Sequence, residues 1–205
     1  LMSAGSLSLA YSVTDDVFER VTHQEGERIF LTTGNVGTNR NFNINISMPI
    51  PVSQWLSIYT WLGPFYAKYE GVLEEGPYSA DQWGFNGYLS STFSFNDWSV
   101  ELSGNYNSPA QQVLFNNRSS GAFNVAVGKQ VMKGSGYVKL GVNDVFETQR
   151  WKSSVNFADM DFDMLRTWES RQVRLSFRYN FGNKEVEASR KRRIASEEEQ
   201  RRIPE

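Results

Sequence analysis

Residues 171–182 read RQVRLSFRYNFG. Val173, Leu175, Phe177, Tyr179 and Phe181 alternate strictly with Gln172, Arg174, Ser176, Arg178 and Asn180. A period of two is a β-strand with one apolar and one polar face. The polar face carries Arg174 and Arg178, which a dry protein core would not accept unpaired. The apolar face must therefore meet something greasy, and the polar face water or a polar lumen. Apolar-out, polar-in strands with aromatic residues at their ends are the signature of a transmembrane β-barrel.

The pattern recurs along the chain. In 5–14, Leu7, Leu9, Tyr11 and Val13 oppose Ser6, Ser8, Ala10 and Ser12. In 41–50, Phe42, Ile44, Ile46, Met48 and Ile50 oppose Asn41, Asn43, Asn45 and Ser47, a face too polar for a sandwich core. Strands 83–95, 98–106, 121–131 and 136–146 repeat it, with Phe85, Leu89, Val100, Leu102, Val125, Val127 and Leu140 outward. Along 55–71 the aromatics Trp55, Tyr59, Trp61, Phe65 and Tyr69 take one parity and Leu56, Ile58 and Leu62 the other, so the outward face stays open. The connections alternate long and short: 15–40, 51–54, 72–82, 96–97, 107–120, 133–135 and 147–170. Outer-membrane barrels have long loops outside and short turns on the periplasmic side. The strands are near the roughly 9–11 residues that a tilted crossing needs. Trp55, Trp83 and Trp98 stand at expected strand starts, as membrane-interface aromatics would. A soluble sandwich accounts less readily for these tryptophans and for the Asn and Ser faces. The expected fold is all-β: an antiparallel, up-and-down transmembrane β-barrel segment of about eight strands over 1–182, followed by a charged tail over 183–205. Glu25 and Gly26 predict a turn inside 15–40, where the flanking strands extend as a hairpin beyond the membrane.

Bulk properties remove other classes. The net charge of -2 supplies no basic field for nucleic acid. There is no cysteine, so no disulfide or thiolate metal site exists. The longest uncharged run, 41–67, contains Pro49, Pro51 and Pro64 and is not a membrane helix. The first twelve residues, LMSAGSLSLAYS, lack a charged region and a long apolar core, so they are not a secretory signal; an exported chain of this sequence is expected to be a mature segment or a fragment. The tail mixes a basic run at 190–193 with an acidic run at 197–199 and is expected to be solvated.

Chemistry is sparse, and the chain is expected not to be an enzyme. His23 is the single histidine and sits in a long loop without partners for catalysis or zinc. Asp159, Asp161 and Asp163 have calcium-loop spacing, but Met164 replaces the turn glycine and Ser170 the terminal glutamate, so they read as the polar face of a hairpin. Asn117, Arg118 and Ser119 match a glycosylation sequon that a bacterial outer membrane would leave unused. Tyr59, Trp61, Tyr66, Tyr69 and Tyr78 suit either ligand stacking or an aromatic girdle, and the girdle is the expectation. No catalytic, cofactor-binding or metal-binding residue is assigned, no cofactor is expected, and the ligand-binding residues are left unknown.

Residues 138–146 (VKLGVNDVF), 151–156 (WKSSVN) and 171–181, with the charged tail after them, resemble the C-terminal end of a TonB-dependent outer-membrane receptor barrel. The resemblance implies energised uptake of a siderophore, glycan, peptide or similar nutrient through a larger barrel with a plug domain and the partner TonB. This sequence has neither plug nor TonB-contact segment and would be the last third of such a barrel, lying in the outer membrane with long loops extracellular and its tail periplasmic. The alternative is a small autonomous eight-stranded outer-membrane protein acting as adhesin, anchor or binding module.

Overall fold

The computed structural model describes residues 4–26, 28–73, 76–158 and 160–181. The expected tail over 183–205 lies outside them. Eight strands form one antiparallel sheet in meander order: β1 (Ser6–Thr14), β4 (Thr38–Pro51), β5 (Leu56–Leu73), β6 (Gly76–Phe95), β7 (Trp98–Asn107), β10 (Ser120–Val131), β11 (Gly136–Asn143) and β14 (Gln172–Tyr179). These are the eight strands that the alternation predicts, with ends shifted by a few residues, and the all-β antiparallel expectation holds. A single 3-10 turn, Met132–Gly134, joins β10 to β11. Strand β11 stops at Asn143 rather than 146 because Asp144 adopts a left-handed conformation (φ 45°) that breaks the ladder.

Register assigns every face. Leu7, Leu9 and Tyr11 lie opposite Ile46, Ile44 and Phe42. Ile46, Met48 and Ile50 face Leu62, Thr60 and Ile58. Directly paired residues share a face, so Leu56, Ile58, Leu62 and Tyr66 of β5 are outward. Tyr59, Trp61, Phe65 and Tyr69 then join the asparagine face, opposite Ser90, Tyr88, Gly84 and Ala80 of β6. The 55–71 strand thus turns its aliphatic parity outward and most of its aromatic parity inward. Gly84 has no side chain because the Phe65 ring lies where its Cβ would be, and Gly128 likewise makes room for the Tyr137 ring.

The apolar face is bare. Leu175 is 72% exposed, and Leu7, Leu89, Leu140 and Val173 are also open. Its aromatics form two belts. Near the short turns, Trp55 stacks on Phe93 and Phe95. Near the long connections, Tyr66 packs on Trp83, and Phe123 on Phe146. Along β6, Trp83 and Phe95 are about 40 Å apart, or roughly 30 Å along the membrane normal at a typical tilt, which is the span of a lipid core and its interfaces. Trp83 does not start its strand as expected, since β6 begins at Gly76. It marks the rim of the apolar belt in mid-strand.

The expected long loops are folded. The 15–40 connection holds β2 (Phe18–Glu25) and β3 (Arg28–Asn35), which pair with each other in a sheet of their own instead of prolonging β1 and β4. The 72–82 loop is the tip of the β5–β6 hairpin. A third sheet contains β8 (Ala110–Gln112), β9 (Phe115–Asn117), β12 (Arg150–Phe157) and β13 (Met160–Thr167). Together they enclose a core of Val36, Leu73, Tyr78, Val113, Phe115 and Val155, with Leu114 and Met160 also buried. Tyr69, Leu73, Tyr78 and Ala80 carry inward parity on β5 and β6 and pack on this core. The lobe therefore sits on the polar side of the wall, above the belt.

Candidate functional site

Between the polar face and the underside of the lobe lies a cavity of about 380 Å³. The wall contributes Phe65 of β5, Asn86 of β6, and Asn105 and Asn107 of β7; the lobe contributes Asn117, Arg118, Arg150 and Trp151, and Gln149 and Trp168 complete the rim. The wall residues are there because inward positions carry amides, and Phe65 because its ring fills the space over Gly84.

Local bonding fixes the lobe half. The Trp151 indole Nε1 donates to Asn117 Oδ1 at 2.7 Å, which leaves the Asn117 amide NH2 unspent. Asn107 donates to Ser120 Oγ at 3.3 Å. Asn86, Asn105 and Gln149 make no side-chain hydrogen bond among the described residues. The backbone at Thr148 and Gln149 is held by Asp144, which is 1% exposed. Its Oδ2 accepts from Gln149 N at 2.9 Å, and its Oδ1 accepts from Thr148 N at 2.9 Å. The Asp144 backbone N–H donates in turn to Asn124 Oδ1 at 2.9 Å. Burial pushes the Asp144 carboxyl up, but hydrogen bonds from Ser170, Gln149 and Thr148 outweigh it and hold the group down at about 2.

No carboxylate lines this cavity. Neither Arg118 nor Arg150 is paired with a carboxylate among the described residues; Arg150 reaches only the Glu147 carbonyl, at 3.1 Å. Gln149, Arg150 and Trp168 also line an adjoining cavity of about 490 Å³, whose far side carries Glu147 and Glu169. Two further cavities differ. One inside the lobe, also about 380 Å³, shares Asn117 and Trp151 as its wall but includes Glu19. One on the polar face, about 390 Å³, surrounds the Lys139–Glu101 ion pair (2.7 Å) and Arg174. In the lobe core, burial pushes the Tyr78 hydroxyl up to about 12, against a lowering hydrogen bond from Gln111.

The residues singled out by sequence scatter. His23 lies on β2, with Phe30 of β3 as its register partner. Asp161 and Asp163 lie on the exposed face of β13, opposite Phe162 and Met164, which pack on the lobe core. Asp159 is outside the described residues. No three His, Cys, Asp or Glu side chains gather as a metal site among the described residues. Asn117 of the sequon is engaged by Trp151. The five aromatics expected in a girdle divide: Tyr66 is in it, Tyr59, Trp61 and Tyr69 face inward, and Tyr78 is buried. The cavity residues Gln149, Arg150 and Trp168 carry no period or motif, and Arg118 stands only as the middle residue of the sequon. The one sequence hint is the density of Asn, Gln and Ser in 107–120.

Residues 2–179 match the outer membrane protein beta-barrel family. No curated protein and no solved structure matches the chain. The family match runs through all eight wall strands and the lobe connections between them, and it assigns the wall to the outer membrane. With its alternating faces, aromatic belts and meander sheet, the chain belongs to the outer membrane protein beta-barrel family.

Proposed function

We propose that the chain is the C-terminal barrel portion of a TonB-dependent receptor, serving energised nutrient uptake. One observation carries this reading. Strands β1 and β14 end the sheet and are not paired with each other among the described residues, and every residue of both is exposed. Unpaired edges in hydrocarbon are untenable, because no water satisfies their N–H and C=O groups. Further strands complete the barrel, and eight alone would leave no lumen for transport. Lipid covers the apolar face. The lobe is extracellular, the short turns are periplasmic, and 183–205 extends into the periplasm, where TonB acts on a plug held by the complete barrel.

The test has two arms. Residues 1–182 refolded in detergent micelles should give no compact species that changes mobility on boiling; a compact heat-modifiable monomer would replace this reading with a small autonomous barrel. In the host cell, disrupting the coding sequence and disrupting TonB should cause the same nutrient-specific growth loss. A loss independent of TonB would overturn energised uptake.

A further inference from the structure

The cavity under the lobe is unusual in its unused bonding capacity. Five side-chain amides, two indoles and two guanidinium groups face a space without any carboxylate. Structural amides in a folded protein normally spend their donors and acceptors on neighbours. Here Asn86, Asn105 and Gln149 spend neither, and Asn117 keeps its NH2. An amide is donor and acceptor at once, and so is a hydroxyl, so neighbouring hydroxyl groups on a ring match it. The flat faces of Trp151, Trp168 and Phe65 offer apolar contact to a ring without demanding a branched aliphatic partner. Ala110 is the one aliphatic side chain in the lining. A peptide bearing aliphatic side chains finds no pocket for them here.

Charge narrows the class further. Among the described residues Arg118 and Arg150 lack carboxylate partners, and a planar guanidinium recognises a carboxylate through paired hydrogen bonds. A cation would be repelled, and a neutral ligand would leave both groups unused. We propose that this cavity binds an acidic oligosaccharide, a chain of pyranose rings carrying carboxylates, held by the amides and indoles and selected by Arg118 and Arg150. The proposal takes the role of ligand capture from the receptor reading and adds the ligand's chemical class. The volume lies within the ordinary range of small-ligand pockets, roughly 300–1,000 Å³.

The test uses the protein purified from outer membranes in detergent, with tryptophan fluorescence as readout. Tetragalacturonate is the acidic saccharide, maltotetraose its neutral counterpart and tetraglutamate an acidic peptide. Saturable binding of tetragalacturonate is expected, at least about tenfold tighter than either comparison ligand, the size of effect that a charge-assisted hydrogen bond confers. The Arg118→Gln/Arg150→Gln double variant should abolish the preference over maltotetraose. Both side chains are exposed, so the fold should survive, and a Trp168→Leu variant should weaken both sugars alike. An Arg174→Gln variant, on the separate wall cavity, should leave the preference intact. Equal binding of maltotetraose, equal or tighter binding of tetraglutamate, no saturable binding, or an unchanged preference in the double variant would each overturn the proposal. Binding in detergent needs no TonB. Acid-selective binding without TonB-dependent uptake would therefore sink the receptor reading alone, and TonB-dependent growth without acid selectivity would sink the ligand class alone.

Discussion

The wall and the lobe are built by the same chain for different solvents. In the wall, the outward apolar row is exposed, with Leu175 open and Val173 beside it; in the lobe, Val113 and Val155 are 0% exposed. Yet β13 of the lobe alternates as regularly as β14 of the wall. Met160, Phe162 and Met164 oppose Asp161 and Asp163 just as Val173, Leu175 and Phe177 oppose Arg174 and Ser176. Period two says which face is apolar and nothing about what covers it. Protein covers the first set and leaves the second exposed, and the lobe, not the wall, holds nearly all of the buried hydrophobic core.

The sharpest way to break the comparison is inside the lobe. Phe115→Ala removes a buried ring that packs at a tilt against Trp151 (6.2 Å between centroids) and should cost the lobe about 3–5 kcal/mol. Amide hydrogen exchange should speed up in β12 and β13 while β10 and β11 stay protected; equal loss in both would make wall and lobe one cooperative unit. The next effect is on the wall. Leu175→Arg should cost roughly 2–4 kcal/mol in a bilayer, measured by urea unfolding in vesicles, and Ser176→Arg on the polar face far less. Similar costs would refute the face assignment.

Asp144 joins the two regions and should give a smaller effect. Asp144→Ala should cost about 1–3 kcal/mol by leaving the Thr148 and Gln149 amides unsatisfied. Because its folded pKa is depressed, its contribution is complete above the ordinary value of 3.8 and is lost as pH falls towards about 2. Acid titration of wild type against Asp144→Asn should show the difference between them shrinking only in that window. Smallest is the Glu101–Lys139 pair on the polar face. Both side chains are about a third exposed, so Lys139→Met should change stability by less than about 1 kcal/mol.

The wall was legible because its physics is one-dimensional. Alternation fixes faces, and Pro51, Asn96 and Gly134 punctuate the short turns. The exception was 55–71, whose two parities are both apolar. Tyr59 and Trp61 gave no sign that they face inward, since only pairing with β4 and β6 decides it. Within the lobe, β8 and β9 are three residues each, too short for any period, and the alternation of β13 gives its apolar face but not the partner strands that make a sheet of it. The cavity was invisible for the same reason. Asn86 and Arg150 are 64 positions apart and come to line one cavity only after two sheets have formed.

Strands β5 and β6 run without interruption from the short turns, past Trp83, to the tip of their hairpin. Seven residues of β6 precede Trp83, so the hairpin projects about 23 Å beyond the rim. The pairing is continuous across the rim, and its upper end carries Leu73 and Tyr78 of the lobe core. A tilt of about 10° in the wall would swing that end by about 4 Å, more than the length of a hydrogen bond. A small change in barrel shape would, through this hairpin, displace one side of the lobe, as a mast amplifies the roll of a hull.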